Sequence, residues 1–183
     1  MPNPIDPTLK VDTRNLAEGK YGNYQTVDYM ARLARKKAED KIVRQTAIMI
    51  LNEARTQSHN HLDEAVAIGE WVKRNIQYMK DPDGIELLQD PLLLIQKAHE
   101  GVARGDCDDM ALLTATLLIS AGIKPYFKII RHKEKKGHFN HIYVVVNEGN
   151  YKQPRKWFTL DCIIKDKPMG YEMKYASAEV FPV

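Results

Sequence analysis

The chain has 183 residues and a mass of 21.0 kDa, a length that suits one domain with a core large enough to need no disulfide framework. Its hydrophobic content of 44% and charged content of 28% are close to those of globular proteins and argue against wholesale disorder. The longest apolar runs are too short to span a bilayer, and the first residues lack the pattern of a secretory signal. We therefore predict a soluble, cytoplasmic protein.

The net charge of +3 is small, but the charges are unevenly distributed. Residues 81–109 contain eight acidic and two basic residues, a local charge of −6. Residues 124–156 contain nine basic and two acidic residues, a local charge of +7. Such asymmetry can attract an acidic partner, or it can hold two halves of one domain together. The most basic stretch, residues 131–136, lacks interleaved aromatic residues, so nucleic-acid binding is disfavoured.

The N-terminal half is predicted to be helical after an irregular arm at residues 1–25. Over residues 26–57 apolar residues recur at three- and four-residue steps, which predicts one amphipathic helix or two joined near Lys41. A similar pattern predicts a helix over residues 62–78. The sequence Asp-Pro-Asp-Gly at residues 81–84 then indicates a turn.

Two further helices are predicted in the middle of the chain. Asp90 followed by proline indicates the N-cap of a short helix over residues 91–99. A strongly apolar helix is predicted over residues 107–120, and the following Ala121-Gly122 indicates its end. Because this helix is apolar nearly all round, we expect it to be enclosed, with its first turn opening onto a cleft.

The period of the apolar pattern changes from 3.6 to 2 after this helix. Strands are predicted over residues 126–131, 141–147 and 157–161, with a short last strand near 173–175. Helices followed by an antiparallel sheet predict an α+β fold. We divide the chain into an N-terminal arm and helical extension, residues 1–60, and a core domain, residues 61–183.

Cys107 stands at the start of the apolar helix, between Asp106 and the pair Asp108-Asp109. The free N–H groups and partial positive charge of a helix N-terminus favour a thiolate, and the same N–H groups can hold an oxyanion. The two following aspartates oppose thiolate formation, so a close imidazolium is needed to overcome them. A thiol nucleophile also needs a base, and a third group that orients the base.

Candidates for the base and its orienting group lie on the predicted strands. His141 begins the second strand, and Asp161 ends the otherwise apolar third strand. A buried carboxylate needs a partner, and an imidazole N–H on the neighbouring strand suits it. His132 and His138 flank a charged hairpin tip, and we expect His138 to be a solvated hairpin residue.

These segments resemble three motifs of the transglutaminase-like superfamily. Gly-Asp-Cys-Asp-Asp-Met-Ala-Leu-Leu at residues 105–113 is similar to its nucleophile helix. Asn-His-Ile-Tyr-Val at residues 140–144 resembles its histidine strand, and Trp-Phe-Thr-Leu-Asp at residues 157–161 resembles its aspartate strand. The similarity extends over residues 65–171, and residues 81–91 resemble the lead-in of small bacterial and phage members.

The resemblance implies a papain-like α+β core that transfers acyl groups from amides through a thioester, to water or to an amine, without a cofactor. It implies that Cys107 is the nucleophile, that His141 is the general base and acid, and that Asp161 orients His141. It also makes Tyr78 and Asp108 candidates for the substrate and oxyanion side of the site.

Two features of the sequence differ from the family pattern or lie outside it. Cys162 follows Asp161 at a position where many members carry proline, and it brings a second thiol near for oxidative pairing with Cys107. The helix predicted over residues 26–57 lies outside the resemblance and receives no role from it.

A metal site is a second interpretation of the same residues. The candidate ligands are the residues Asp106, Cys107, Asp108, Asp109, His138 and His141. No Cys-x-x-Cys or His-x-x-x-His spacing occurs among them, and consecutive acidic residues cannot all face one ion. We therefore expect no metal.

The favoured hypothesis is a cysteine enzyme acting on amide bonds of a protein or peptide, by hydrolysis, deamidation or crosslinking. One alternative is a catalytically idle domain of the same fold that serves in a structure or assembly, such as a virion-associated protein if the chain is phage-encoded. Another is a peptidoglycan peptidase, which the lack of an export signal opposes. The sequence does not determine the oligomeric state, and it indicates no membrane partner.

Overall fold

The structure is a computed structural model that describes residues 19–56, 60–81, 87–133, 137, 139–148 and 156–183. It contains the following helices and strands in chain order: α1 (Lys20–Ala38), α2 (Lys41–Ala54), α3 (His61–Asn75), β1 (Gln77–Tyr78), α4 (Pro91–His99), β2 (Arg104–Gly105), α5 (Cys107–Ser120), β3 (Pro125–His132), β4 (His141–Asn147), β5 (Trp157–Leu160) and β6 (Tyr175–Pro182). The mixed composition, with its helices first and its main sheet last, confirms the predicted α+β class.

The main sheet has four antiparallel strands in the order β5-β4-β3-β6. A separate two-stranded ribbon is formed by β1 and β2, which run parallel with Gln77 opposite Arg104 and Tyr78 opposite Gly105. The ribbon matters for the site because β2 leads directly into α5.

Helix α5 lies at the centre of the main hydrophobic cluster. Residues 108–118 are all buried, which the nearly uniform apolarity of this helix predicts. Helices α1, α2 and α3 pack around it, and the sheet covers it with the side chains of Phe127, Ile142 and Val144. The opposite face of the sheet carries a smaller cluster that includes Tyr143 and Val145.

Several predicted boundaries are confirmed, and local chemistry explains them. Helix α4 begins at Pro91, and the Asp90 carboxylate accepts a hydrogen bond from the N–H of Leu92 at 2.9 Å. Helix α5 spans the predicted range, and Gly122 follows it with a φ of 80°. The predicted break near Lys41 lies at Asp40, whose carboxylate caps α2.

Other boundaries were wrong because tertiary contacts decide them. Helix α1 begins at Lys20, so residues 20–25 are not part of the arm; there the Tyr24 hydroxyl donates to Glu179 and its ring packs against Phe181. Helix α3 ends at Asn75, and Tyr78 lies in β1 instead of the helix.

The last strand, β6, is longer than predicted because it pairs with nearly the whole of β3. The rest of the predicted arm, most of the turn at 81–84 and the hairpin tip around His138 lie outside the described residues. No helix in the described ranges is long and apolar enough to cross a membrane.

Candidate active site

The order of the elements brings the predicted site residues to one end of the molecule. Only four residues join α5 to β3, so β3 runs back along α5, and β4 then runs in the same direction as α5. Cys107 begins α5 and His141 begins β4. Strand β5 is antiparallel to β4, so Asp161, which follows its last residue, lies at the same end.

His141 and Asp161 form a buried pair. The Nε2 atom of His141 lies 2.8 Å from Oδ2 of Asp161, and the two residues are only 5% and 6% exposed. The register explains the contact: Val144 pairs with Leu160, so the next residue, Asp161, comes opposite Tyr143, two positions from His141 on the same face. Because Nε2 is held by the carboxylate, Nδ1 is the ring nitrogen left to act on another group.

Two aromatic rings contact the imidazole of His141. The ring of His132, on β3, stacks on it with centroids 5.9 Å apart and planes inclined by 15°. The ring of Tyr143 lies 5.4 Å away at 39°. Alternation along β4 puts His141 on the same face as Tyr143, which belongs to the smaller hydrophobic cluster on the side of the sheet away from α5.

Cys107 is partly exposed, and Tyr78 is close enough for its hydroxyl to interact electrostatically with the thiol. The ribbon positions Tyr78, because the N–H of Met79 donates to the carbonyl of Gly105, two residues before Cys107. Tyr78 is 45% exposed, and its pKa is raised by burial and then by the negative charges of Cys107, Asp106 and Asp108. Its hydroxyl therefore stays protonated and remains a hydrogen-bond donor.

Asp106 and Asp108 flank the thiol. Asp108 is 3% exposed, and its Oδ1 accepts the N–H of Asp109 at 2.9 Å. The Oδ1 atom of Asp106 is buried and accepts no hydrogen bond within the described part of the chain. The ligand atoms of Asp106, Cys107 and Asp108 lie within 4.8 Å of one another, so these three residues are the candidates for a metal.

The hydrogen-bond partner of Asp109 was not predicted from the sequence. The carboxylate of Asp109 is fully buried and accepts two hydrogen bonds from Gln89, one from the backbone N–H at 2.7 Å and one from Nε2 at 2.6 Å. Burial raises the pKa of Asp109 to about 6, although the Gln89 hydrogen bonds oppose the rise. A glutamine twenty residues before a buried acid has no periodic signal that could have revealed this pair.

Gly105 is also explained by Asp109. A Cβ atom on Gly105 would lie 2.8 Å from Cβ and Oδ2 of Asp109, closer than real contacts allow. The glycine before α5 therefore makes room for the carboxylate in the first turn of this helix.

Comparison with known proteins identifies the family of this sequence. The sequence matches the family described as "Transglutaminase-like domain" over residues 46–153, which is more than half of the chain. The chain belongs to this family. No curated protein matches the sequence.

Two solved structures are similar to this transglutaminase-like domain. One, described as a "putative protease" from Parabacteroides distasonis, has 14% identity and a TM-score of 0.48 over 67% of this chain and 24% of its own. The other, described as a "putative cysteine protease" from Cytophaga hutchinsonii, has 17% identity and a TM-score of 0.47 over 76% of this chain and 45% of its own. The chain therefore spans less than half the length of either protein.

The second thiol of this transglutaminase-like domain lies in the core. Cys162 is 4% exposed and contacts the hydroxyl of Thr114 at 3.4 Å and the carbonyl of Gly69 at 3.5 Å. Burial raises its pKa to about 12. Thr114 lies seven residues along α5 from Cys107, about 10 Å along the helix axis, so Cys162 faces a different part of the helix.

Proposed function

We propose that this transglutaminase-like domain is a cysteine-dependent acyl-transfer enzyme that acts on amide bonds of a protein or peptide. The observation that carries the proposal is the buried hydrogen bond between His141 and Asp161, at the end of the molecule where α5 begins with Cys107. Burying an imidazole and a carboxylate is costly unless they are paired, and a paired imidazole with one nitrogen left over suits a general base. The coarser class, a papain-like cysteine enzyme, is what the family indicates.

The first half of the reaction forms a thioester. His141 Nδ1 takes the thiol proton of Cys107, and the sulfur attacks the amide carbonyl carbon, so that a C–S bond forms as the carbonyl becomes an oxyanion. The N–H groups of the first turn of α5 and the hydroxyl of Tyr78 are the donors that stabilise this oxyanion. His141 then gives its proton to the amide nitrogen, the C–N bond breaks and the amine leaves.

The second half releases the acyl group. His141 removes a proton from water, the oxygen attacks the thioester carbon, and the C–S bond breaks as the thiol regains the proton. Asp161 keeps the imidazole oriented through Nε2 and stabilises the imidazolium in both halves. We favour water over an amine as the acceptor because water is always present, whereas crosslinking needs a site that shields the thioester.

Alkylation of Cys107 tests whether the triad forms. The rate with iodoacetamide is measured against pH for Cys162→Ser, which leaves one thiol, and for the double variant Cys162→Ser/His141→Ala. We expect Cys107 to react fast well below pH 8.5, the range of a free thiol, and to lose this advantage without His141. A free-thiol profile in both proteins would contradict the mechanism and favour a catalytically idle structural or assembly protein, including the virion-associated alternative.

Turnover of amides tests the chemistry itself. A peptide mixture is incubated with the protein and analysed by mass spectrometry for hydrolysed, deamidated and crosslinked products. We expect Cys107→Ala to abolish every product and Cys162→Ala to retain most of them, because Cys162 is buried among core side chains. Product formation by Cys107→Ala would exclude a thiol mechanism.

A further inference from the structure

A basic groove lies at the start of the β1–β2 ribbon. It has a volume of about 510 Å³ and is lined by residues from the end of α3, the loop before β2 and the segment after β5. Its cationic side chains are Arg74, Arg104 and Lys165, and none of the lining residues in the described ranges is acidic. A groove with three cations and no carboxylate is suited to a negatively charged group.

The described residues do not neutralise either arginine. Arg104 and Arg74 form no ion pair within the described ranges, and Arg74 uses only its Nε, which donates to the carbonyl of Glu70 at 3.3 Å. Lys165 is held in place because its Nζ donates to the carbonyls of Lys73 and Ile76. The backbone of Arg104 is also held, since its carbonyl accepts a hydrogen bond from Gln89 at 2.8 Å.

The ribbon connects the groove to the thiol. Gln77 and Arg104 pair at the groove, and the next pair is Tyr78 and Gly105, beside Cys107. Cys107 is three positions after Arg104, so their Cα atoms are at most about 11 Å apart. An extended peptide rises by about 3.3 Å per residue and covers this distance in two to three residues.

We propose that the groove binds a carboxylate of the peptide substrate, two to three residues from the amide that Cys107 attacks. The position of the carboxylate relative to the attacked amide rests on the proposed function, but the negative charge of the ligand does not. A guanidinium binds a carboxylate through two parallel hydrogen bonds, and Arg104 is the lining cation closest to Cys107 in the sequence. The carboxylate is either an acidic side chain or the C-terminus of the peptide.

Peptides that carry a thiol-directed electrophile test the groove without requiring turnover. One series is N-bromoacetyl-Gly-Gly-Glu-amide, its Gln counterpart, and the Gln peptide with a free C-terminal carboxylate. A second series reverses the direction, with bromoacetyl-diaminopropionate at the C-terminal end and Glu or Gln at the N-terminal end. The saturation constant for alkylation of Cys107 is measured in Cys162→Ser protein at low and high salt.

We expect one series to show about fivefold to tenfold tighter saturation by a carboxylate peptide than by its neutral amide counterpart, a preference that salt reduces. The Gln peptide with a free C-terminus distinguishes the two sources of carboxylate. Arg104→Gln should remove the preference. The matched control Arg44→Gln, an equal charge change on the exposed surface of α2, should keep it.

Equal saturation by Glu and Gln peptides in both series overturns the inference, as does a preference that survives in Arg104→Gln. Protection of Cys107 by inorganic phosphate without any preference for Glu identifies a site for a free anion, and also overturns it. If the peptides do not alkylate Cys107, the binding of their acetylated counterparts to Cys107→Ala is measured by calorimetry. The affinities of the carboxylate and neutral peptides are then compared in the same way. A preference for carboxylate peptides without amide turnover supports the groove and contradicts the proposed enzyme. Amide turnover without this preference supports the enzyme and contradicts the groove.

Discussion

Gln89 donates two hydrogen bonds to the carboxylate of Asp109, one from its backbone and one from its side chain. The contact connects the first turn of α5 to the segment before α4, because Asp109 lies two residues after Cys107. Lys97, on α4, donates to the side-chain carbonyl of the same glutamine at 3.3 Å. Gln89 therefore links α4 to the first turn of the helix that carries the thiol.

The raised pKa of Asp109 makes stability depend on pH. Burial raises this pKa from about 3.8 to about 6, so between these values the folded state binds more protons than the unfolded state. The free energy of unfolding should therefore fall as pH rises from 4 to 6, by up to about 3 kcal/mol. Urea unfolding in this range checks the sign.

Asp109→Asn should make that pH dependence shallower, since an amide does not titrate but still accepts the backbone N–H of Gln89. The exposed Asp28, which pairs with Arg32 on α1, supplies the control: Asp28→Asn should leave the slope unchanged. An unaltered slope in Asp109→Asn would mean that another group causes the dependence.

Gly105→Ala should destabilise the fold and disturb the thiol. The new methyl group would lie 2.8 Å from the Asp109 carboxylate, and overpacking of this kind costs about 1–3 kcal/mol. We also expect slower alkylation of Cys107, because the first turn of α5 must shift. Gly101→Ala is the control: nothing lies within 4 Å of its Cβ position, so only its positive φ should cost stability.

Cys107 and Cys162 should not form a disulfide in the folded protein. Cys162 contacts Thr114, about 10 Å along α5 from Cys107, whereas disulfides join Cα atoms less than about 7 Å apart. Mild oxidation with copper phenanthroline should leave both thiols unlinked in buffer and link them only in urea. A peptide pair linked through Cys107 and Cys162 under native conditions would show that the two thiols approach each other in the folded protein.

The ring of His132 should keep His141 in its working orientation. Stacked rings contribute about 0.5–1.5 kcal/mol, so His132→Ala should slow His141-dependent alkylation of Cys107 about threefold to tenfold. His132→Phe keeps a flat ring and should retain most of the rate. If the Phe and Ala variants are equally slow, the contribution of His132 is polar and not a matter of packing.

Much of the fold follows from local patterns. The sequence predicts the bounds of α4 and α5 and the start of β4. The signals are a capping aspartate, a C-terminal glycine and alternating apolar residues, and each acts over only a few residues. The pairing of His141 with Asp161 was also predictable in kind, since alternation puts each on a definite face of a strand and a buried carboxylate needs a partner.

The roles of Cys107, His141 and Asp161, and the division of the chain at residue 60, stay predictions. Helices α1 and α2 contribute to the same hydrophobic cluster as α3 and α5.

Contacts between residues distant in sequence decide the remaining features of the fold. Tyr78 continues the apolar period of α3, yet it lies in β1. Its neighbours Gln77 and Met79 donate their N–H groups to the carbonyls of Ala103 and Gly105, more than twenty residues later. Nothing local to residues 20–25 shows that Tyr24 packs against β6 and makes them helical. Local period determines which segments are helices and strands, but only the packed molecule decides what covers each face and which buried polar groups meet, because those energies belong to pairs distant in sequence.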